Sequence, residues 1–437
     1  MQQLTGTTMS FISSPPSLGL RRQRGAGSLL VVTVLTMVLA VTVIFGHKTI
    51  LFEQKTATNQ YRSTMAFEAA DAGLAWATAM LNKQEKITTA CVNDAATSAS
   101  VNFKSKYLNA NITTGAIAPI HSGTVTAACV YNLTGGGLQC SCPAAGAAPS
   151  FTSAAIAALG AGYTPGFAVA FTTNSVTGTV DVVSYGCSSV ITNAACGGDA
   201  AAQVSVSLGQ VSGLSTPPGA PLTARGNVQV SNAAGVVVNP DPNTNGVTIN
   251  AGGDIAIDPS KLQILTTPGT PPASTLVGND SSLQQTTEDG MFATYFGMSK
   301  EAYKNLPATK VLSCAAGCSA TDVQNAYKDG ARQIWVLGDL KINANAILGS
   351  STDPFVMVVD GSIHVNGGPE IFAVIYSTAI TWDETGSGNA LLRGAAISEG
   401  GFKHTGNGKY YYDPDVMRRI RSSASSFVKV PGSWRDF

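Results

Sequence analysis

Residues 26–46 read AGSLLVVTVLTMVLAVTVIFG, an unbroken run without a charge or a proline. At ~1.5 Å of rise per residue such a helix matches the ~30 Å hydrocarbon core of a bilayer. The run therefore predicts a single membrane-spanning segment. Arg21, Arg22 and Arg24 stand just upstream and no acid occurs before Glu53. Flanking positive charge stays on the cytoplasmic side, which puts residues 1–25 in the cytoplasm and the chain beyond Gly46 outside it. The run continues directly into His47 and Lys48 with no small-residue cleavage site behind a shorter apolar region. Secretory cleavage after it is not expected.

No proline interrupts the chain between Pro16 and Pro119, and the stretch from Thr49 to Lys86 is built mainly of helix formers. The helix is thus expected to run from 26 to about 86, roughly 90 Å, with residues 26–46 in the membrane. Beyond the membrane Leu51, Thr58, Tyr61, Met65, Ala69, Ala72, Trp76, Ala79 and Met80 recur at helical spacing against a polar face carrying Gln54, Lys55, Asn59, Arg62 and Asp71. This predicts a stripe packed on a globular domain.

A basic leader, Gly25, an uncharged helix and the box Ala66-Phe67-Glu68-Ala69-Ala70-Asp71-Ala72-Gly73-Leu74 together resemble the type IV pilin-like proteins of the PilX group. The resemblance implies a prepilin peptidase cut after Gly25, so that Ala26 becomes the mature N-terminus. Most pilins carry Glu at the fifth mature position, where this chain has Leu30, and a cut after Gly27 would put Val32 there instead. In pilins that carboxylate is thought to neutralise the N-terminal amine of an adjacent subunit, which Leu30 cannot do. A subunit at the tip has no such neighbour ahead of it, so the departure points to a low-copy minor pilin at or near the tip that helps prime assembly.

Residues 87–211 read as a pilin-like α+β domain. Phe167–Thr173, Thr179–Gly186 and Ala202–Val211 are rich in β-branched residues and separated by turn formers, which predicts an antiparallel meander on the helix. Residues 212–222, SGLSTPPGAPL, form a Pro/Gly-rich linker. From 223 to 437 short apolar strands alternate with Gly, Asn and Asp. Leu340, Ile363, Ile380 and Phe402, each following such a turn, recur at steps of about twenty residues, as stacked coils of a parallel β-helix do. An open antiparallel sandwich is the competing arrangement. Residues 266–332, with TTPGTPPAST and a helical part near 288–303, read as an excursion from that solenoid. The C-terminal Tyr410-Tyr411-Tyr412, a basic helix near Met417 to Arg421, and Trp434 are expected to cap its last coil.

All eight cysteines lie beyond the apolar run, and an even count in an oxidising compartment favours disulfides. Cys187 with Cys196 and Cys314 with Cys318 are near neighbours in sequence. Cys91, Cys129, Cys140 and Cys142 leave three pairings open. Zinc is the competing use of Cys140, Cys142, Cys314 and Cys318, but regularly spaced ligand pairs are missing. Asp241, Asn243 and Asn245 match the start of a calcium loop, yet Gly252 stands where its bidentate Glu belongs and Asp254 lies two residues later. Turn chemistry accounts for the same pattern. His47, His121, His364 and His404 fall in no metalloprotease motif, and no nucleophile elbow or phosphate loop occurs. Asp339, Asp360, Lys341 and His364 are the only imagined catalytic cluster, and no enzymatic activity is expected.

With 26 basic and 26 acidic residues the formal net charge is zero, which argues against an electrostatically driven nucleic-acid partner. Only 12% of residues are charged and 46 are glycine, a composition unlike that of a typical cytosolic enzyme. The expected protein is a minor pilin of a type IV pilus, held first in the bacterial inner membrane and then at the pilus or cell surface. Its partners would be prepilin peptidase and other pilins, with residues 222–437 outermost and open to a surface ligand in adhesion. A tip pseudopilin of type II secretion, and a signal-anchored carbohydrate-binding or polysaccharide-acting surface protein, are the alternatives.

Overall fold

The computed structural model describes residues 26–94, 101–111, 114–131, 137–151, 164–189, 191–192, 195–196, 199–231, 235–258, 260–343, 345–383 and 390–436. The leader 1–25, with Gly25, lies outside these residues. The first element is a helix, Ala26–Asn82, which matches the expected long N-terminal helix and stops four residues earlier. The chain divides into two compact units, Met1–Tyr61 and Arg62–Phe437. Within the first, the described residues are helical throughout.

In the second unit the remaining helix lies on an antiparallel sheet. Its strands are Val125–Tyr131, Leu138–Ser141, Gly166–Thr173, Thr179–Cys187 and Ala201–Ser212, completed by Ser425–Lys429 and Arg435–Asp436 from the C-terminus. Thr179–Cys187 alternates half-buried and buried positions, so Val180, Val182 and Ser184 face the core. Val204, Val206 and Leu208 do the same one strand over. This period of two is what lets a sheet bury one face.

Among the described residues the second sheet has seventeen strands, all paired in parallel, so the antiparallel sandwich is not formed. Its strands lie on three faces. On one, Phe355–Val359, Ala373–Ser377, Ala396–Ser398, Leu222–Ala224 and Ile249–Ala251 pair in succession. On the next, Ile363–Val365, Ile380–Trp382, Phe402–His404, Val228–Val230 and Ile255–Ile257 do so. On the third, Glu370–Ile371, Leu391–Leu392, Lys409–Tyr410, Val236–Val237 and Gln263–Ile264 follow. Inward-pointing Val, Ile, Leu and aromatic residues from all three faces form one buried core. Gly394 turns a corner at φ +144°, where a side chain's Cβ would lie 1.9 Å from the Ala373 carbonyl oxygen. Only glycine fits such a place.

The order of stacking is not the order of the chain. Strands 222–238 pair on strands 396–411, so the first coil in sequence sits in the middle of the stack. Several boundaries move as a result. Residues 266–332 are an excursion only in part, because Leu276–Val277, Thr309–Ser313 and Cys318–Ser319 join the parallel sheet while the helices between 281 and 304 lie outside it. The stretch 212–222 is packed, with Leu214 and Leu222 fully buried. The parallel region does not extend to 437 either, since Ser425–Lys429 pairs with Leu208–Ser212. Residues 213–424 are therefore an insertion between two neighbouring antiparallel strands. Its two ends meet where the Gly213 N–H donates to the Ala424 carbonyl at 2.5 Å.

The expected C-terminal cap is also placed differently. Tyr410 lies inside the stack against Trp382, Phe402 and His404. Helix Pro414–Ser423 buries Val416, Met417 and Ile420 against the outer side of the first face, together with helix Glu288–Phe296. Trp434 stacks edge-on to Phe67 of the long helix. One end of the stack is covered instead by helix Ala320–Lys328, whose Ala320, Val323 and Ala326 enter the core.

Candidate functional site

From Leu29 to Phe52 the helix carries large apolar side chains on every side, all exposed, including Leu30 at 64%. A helix apolar all round needs lipid or other helices as its surroundings. Its threonine hydroxyls are satisfied within the helix. The hydroxyls of Thr33, Thr36 and Thr42 donate to carbonyls three and four residues earlier, which is the requirement for entering an apolar medium. Among the described residues this is the one helix long and apolar enough to cross a membrane. Ala26 is the first described residue, and Leu30 presents a hydrocarbon surface with no carboxylate.

The second half buries small residues. Ala66, Ala70, Leu74 and Ala77 are completely buried, spaced at three to four residues around Gly73. A Cβ on Gly73 would meet Ser184 Oγ at 2.1 Å and the Phe167 ring at 2.9 Å. From the sheet side, a Cβ on Gly186 would lie 2.0 Å from the Ala66 carbonyl oxygen. Helix and sheet backbones thus approach as closely as two glycines permit. The stripe expected from the sequence is rotated, because Tyr61, Ala72 and Ala79 are exposed. Trp76 packs against Phe103 and Phe167 at the flank, and Arg62 pairs with Asp199 at 3.2 Å.

Asn82, the last helical residue, was not singled out by its sequence context. Its side-chain amide donates to the Phe427 carbonyl at 2.8 Å, and its Oδ1 accepts the Phe427 N–H at 2.7 Å. The buried Asn82 thereby acts like a strand partner for the returning C-terminal strand. Nearby, Lys104 Nζ donates to the carbonyls of Ser422 and Ser423 and to Ser425 Oγ. Burial, reinforced by Arg332, lowers the Lys104 ammonium to about 8. A cleft of about 430 Å³ lies beside this junction, lined by Ala79, Lys83, Pro307, Lys310 and Asp329 among others.

The cysteines form four bridges: Cys91–Cys142, Cys129–Cys140, Cys187–Cys196 and Cys314–Cys318. Of the three pairings open to the first four, the structure takes the one that ties residue 91 to 142 and crosslinks the directly opposed 129 and 140. No thiolate is left for zinc among the described residues. Asp241, Asn243 and Asn245 share one turn, in which Asp241 Oδ1 accepts the Asn243 backbone and side-chain N–H groups. Asn245 takes the left-handed conformation. Asp254 belongs to another turn, where it accepts from Asn279 at 3.0 Å, so the structure does not join it to the other three. Lys341 and His364 are register partners on the exposed side of the second face. Asp339 accepts the Ser362 N–H at 2.8 Å.

Two buried polar groups stand apart: Glu399, which its sequence context did not mark, and His404, which it named without showing its burial. Glu399, 2% exposed, accepts from Lys300 Nζ at 2.6 Å and the Tyr376 hydroxyl at 2.7 Å, fastening the helical segment 281–304 to the stack. Burial and that carboxylate push the Tyr376 hydroxyl far above its ordinary range. His404, wholly buried inside the stack, accepts the Gly408 N–H at Nε2, 3.2 Å away. Burial lowers its imidazole to about 4.

Residues 24–75 match the model of the PilX N-terminal family. The chain thus carries a PilX-type, pilin-like N-terminus, in agreement with the motif that suggested it. Among solved structures, the competence-associated pilin ComZ from Thermus thermophilus is similar over 86% of this chain and 97% of its own, at 12% identity and a TM-score of 0.22. No curated protein matches the chain.

Proposed function

We propose that this protein is a minor pilin of a type IV pilus, present in low copy at or near the tip, where it helps prime assembly. The observation that carries this reading is the PilX-type helix itself. Half of it is an apolar rod whose described side chains are exposed, and half is welded to a sheet by small residues. Before assembly the rod is held in the inner membrane with residues 1–25 in the cytoplasm, and prepilin peptidase cuts between Gly25 and Ala26. In the pilus it packs against the helices of other pilins.

Leu30 supports the tip, because a charged amine left unpaired in an apolar filament core is costly, and a leading subunit has no amine ahead of it to neutralise. The inserted residues 213–424 support it too. We read this three-faced parallel stack as a β-helix that presents a surface for adhesion or partner contact, with a structural and not a catalytic role. Its bulk is hard to repeat around a filament shaft. Immunogold labelling of the inserted domain is expected to mark pilus ends. Regular labelling along shafts would reject the tip assignment.

A further inference from the structure

The two ends of the parallel stack are finished differently. One is closed by helix Ala320–Lys328. At the other, Ile255–Ile257 pairs only with Val228–Val230, and Gln263–Leu265 only with Val236–Val238. Neither has a strand on its outer edge among the described residues. The first face stands one strand taller there, because Leu276–Val277 pairs with Ile249–Asn250 before the chain leaves as helix Ser281–Gln285. Gly278 backs onto the Ile255 side chain. The result is a step whose floor is two short edges side by side.

That floor has the chemistry of an unfinished coil. By register Ile255, Ile257 and Ile264 lie above Val228, Val230 and Val237. The three valines are buried in the core, whereas the three isoleucines are only partly covered, and Leu265 is 42% exposed. An open strand edge presents unpaired N–H and C=O groups, and the end of a solenoid needs a cover for its apolar interior. A strand laid on the floor, ~4.8 Å above it, would answer both needs.

Charge selects among the strands that fit. Between 254 and 280 the charged residues are Asp254, Asp258, Lys261 and Asp280, three acids against one base. Hydrogen bonds from Ser260 and Ser282 hold the Asp258 and Asp280 carboxyls below their ordinary range, so both stay ionised. A second copy of this end would bring the same acids against them. We propose that the step is a strand-addition site for an extended segment of another protein, with branched apolar residues alternating with polar ones and Lys or Arg at its flanks.

The test uses the full chain in detergent micelles and three synthetic peptides. One is Lys-Thr-Val-Thr-Val-Thr-Lys, one has Glu in place of both lysines, and one is the Lys peptide with alternate amides N-methylated. Amide hydrogen exchange is followed at residues 255–257 and 263–265. The Lys peptide is expected to slow exchange there by about tenfold or more, and the other two to leave it unchanged. An Asp258→Lys variant, checked for an unchanged circular dichroism spectrum, should shift the preference toward the Glu peptide. No slowing by the Lys peptide, or equal slowing by all three, would overturn the proposal. So would protection of these amides that rises with protein concentration in the absence of peptide, which would make a second copy the occupant.

Discussion

Three glycines in one helix divide it more sharply than its composition does. A Cβ on Gly27 or Gly46 would meet nothing within 4 Å, while one on Gly73 would strike Ser184 and Phe167. The first half carries large exposed side chains that any apolar surroundings accept. The second half has its partner in the same chain and gives up side-chain volume to reach it. One helix thus serves two kinds of packing, and the change falls near the boundary at Tyr61 and Arg62.

The largest break in this contrast should come from the sheet side of the close approach. Gly186→Ala places a methyl group against helix backbone, which cannot move aside as a side chain tip can. We expect a loss of about 3 kcal/mol, at the high end for overpacking, read as a lower midpoint in denaturant unfolding of the second unit. Gly209→Ala, where the nearest atom to the new Cβ is 3.5 Å away, is the matched control and should change little.

Acid should also strike the second unit alone, since every described side chain from Gly27 to Tyr61 is exposed. Burial lowers the His404 imidazole in the folded state to about 4, from an ordinary value of about 6.5. Its contribution is fully present above the unfolded value and is lost as pH falls from 6.5 toward 4, because the unfolded chain takes up the proton first. The cost at the bottom of that window is up to about 3 kcal/mol. His404→Gln should flatten this part of the stability profile, measured by thermal melts at half-unit steps of pH.

Asn82→Ala is the next smaller effect. It leaves the buried Phe427 N–H and carbonyl without the Asn82 partner, a loss of about 2 kcal/mol. Limited proteolysis should then cut the C-terminal strand 425–429 sooner than in the parent protein. Gly46→Ala is the smallest and opposite in sign. With open space around it and a better helix former in place, it should stabilise the helix by under about 1 kcal/mol in micelles.

How much of this was legible depended on whether the signal was local. The apolar rod, the three central antiparallel strands and the Ala/Gly box are written in contiguous residues, and their lengths and periods follow from backbone geometry. The buried face of the helix was legible only in part: Ala69 and Met80 of the expected stripe are buried, but Tyr61, Ala72 and Ala79 are exposed, and Ala66, Ala70 and Gly73 bury instead by a close approach that depends on Gly186 of a distant strand. Recurrence near twenty residues pointed to stacked parallel strands, but not to the pairing of 222–238 on 396–411, which depends on contacts as distant in sequence as Leu222 with Ala396. The return of Ser425–Lys429 to the antiparallel sheet was hidden for the same reason. Asn82 looks like any helix-ending polar residue until its partner 345 residues away is known. The cysteine count predicted bridges, and only the fold chose among three connectivities.

The most direct test of the pilin reading is the mass and N-terminal sequence of the protein recovered from membranes of cells that make the whole pilus machinery. The account predicts a mature chain that begins at Ala26, with the apolar helix retained and the leader removed. An uncut chain, or one that begins after Gly46, would contradict it.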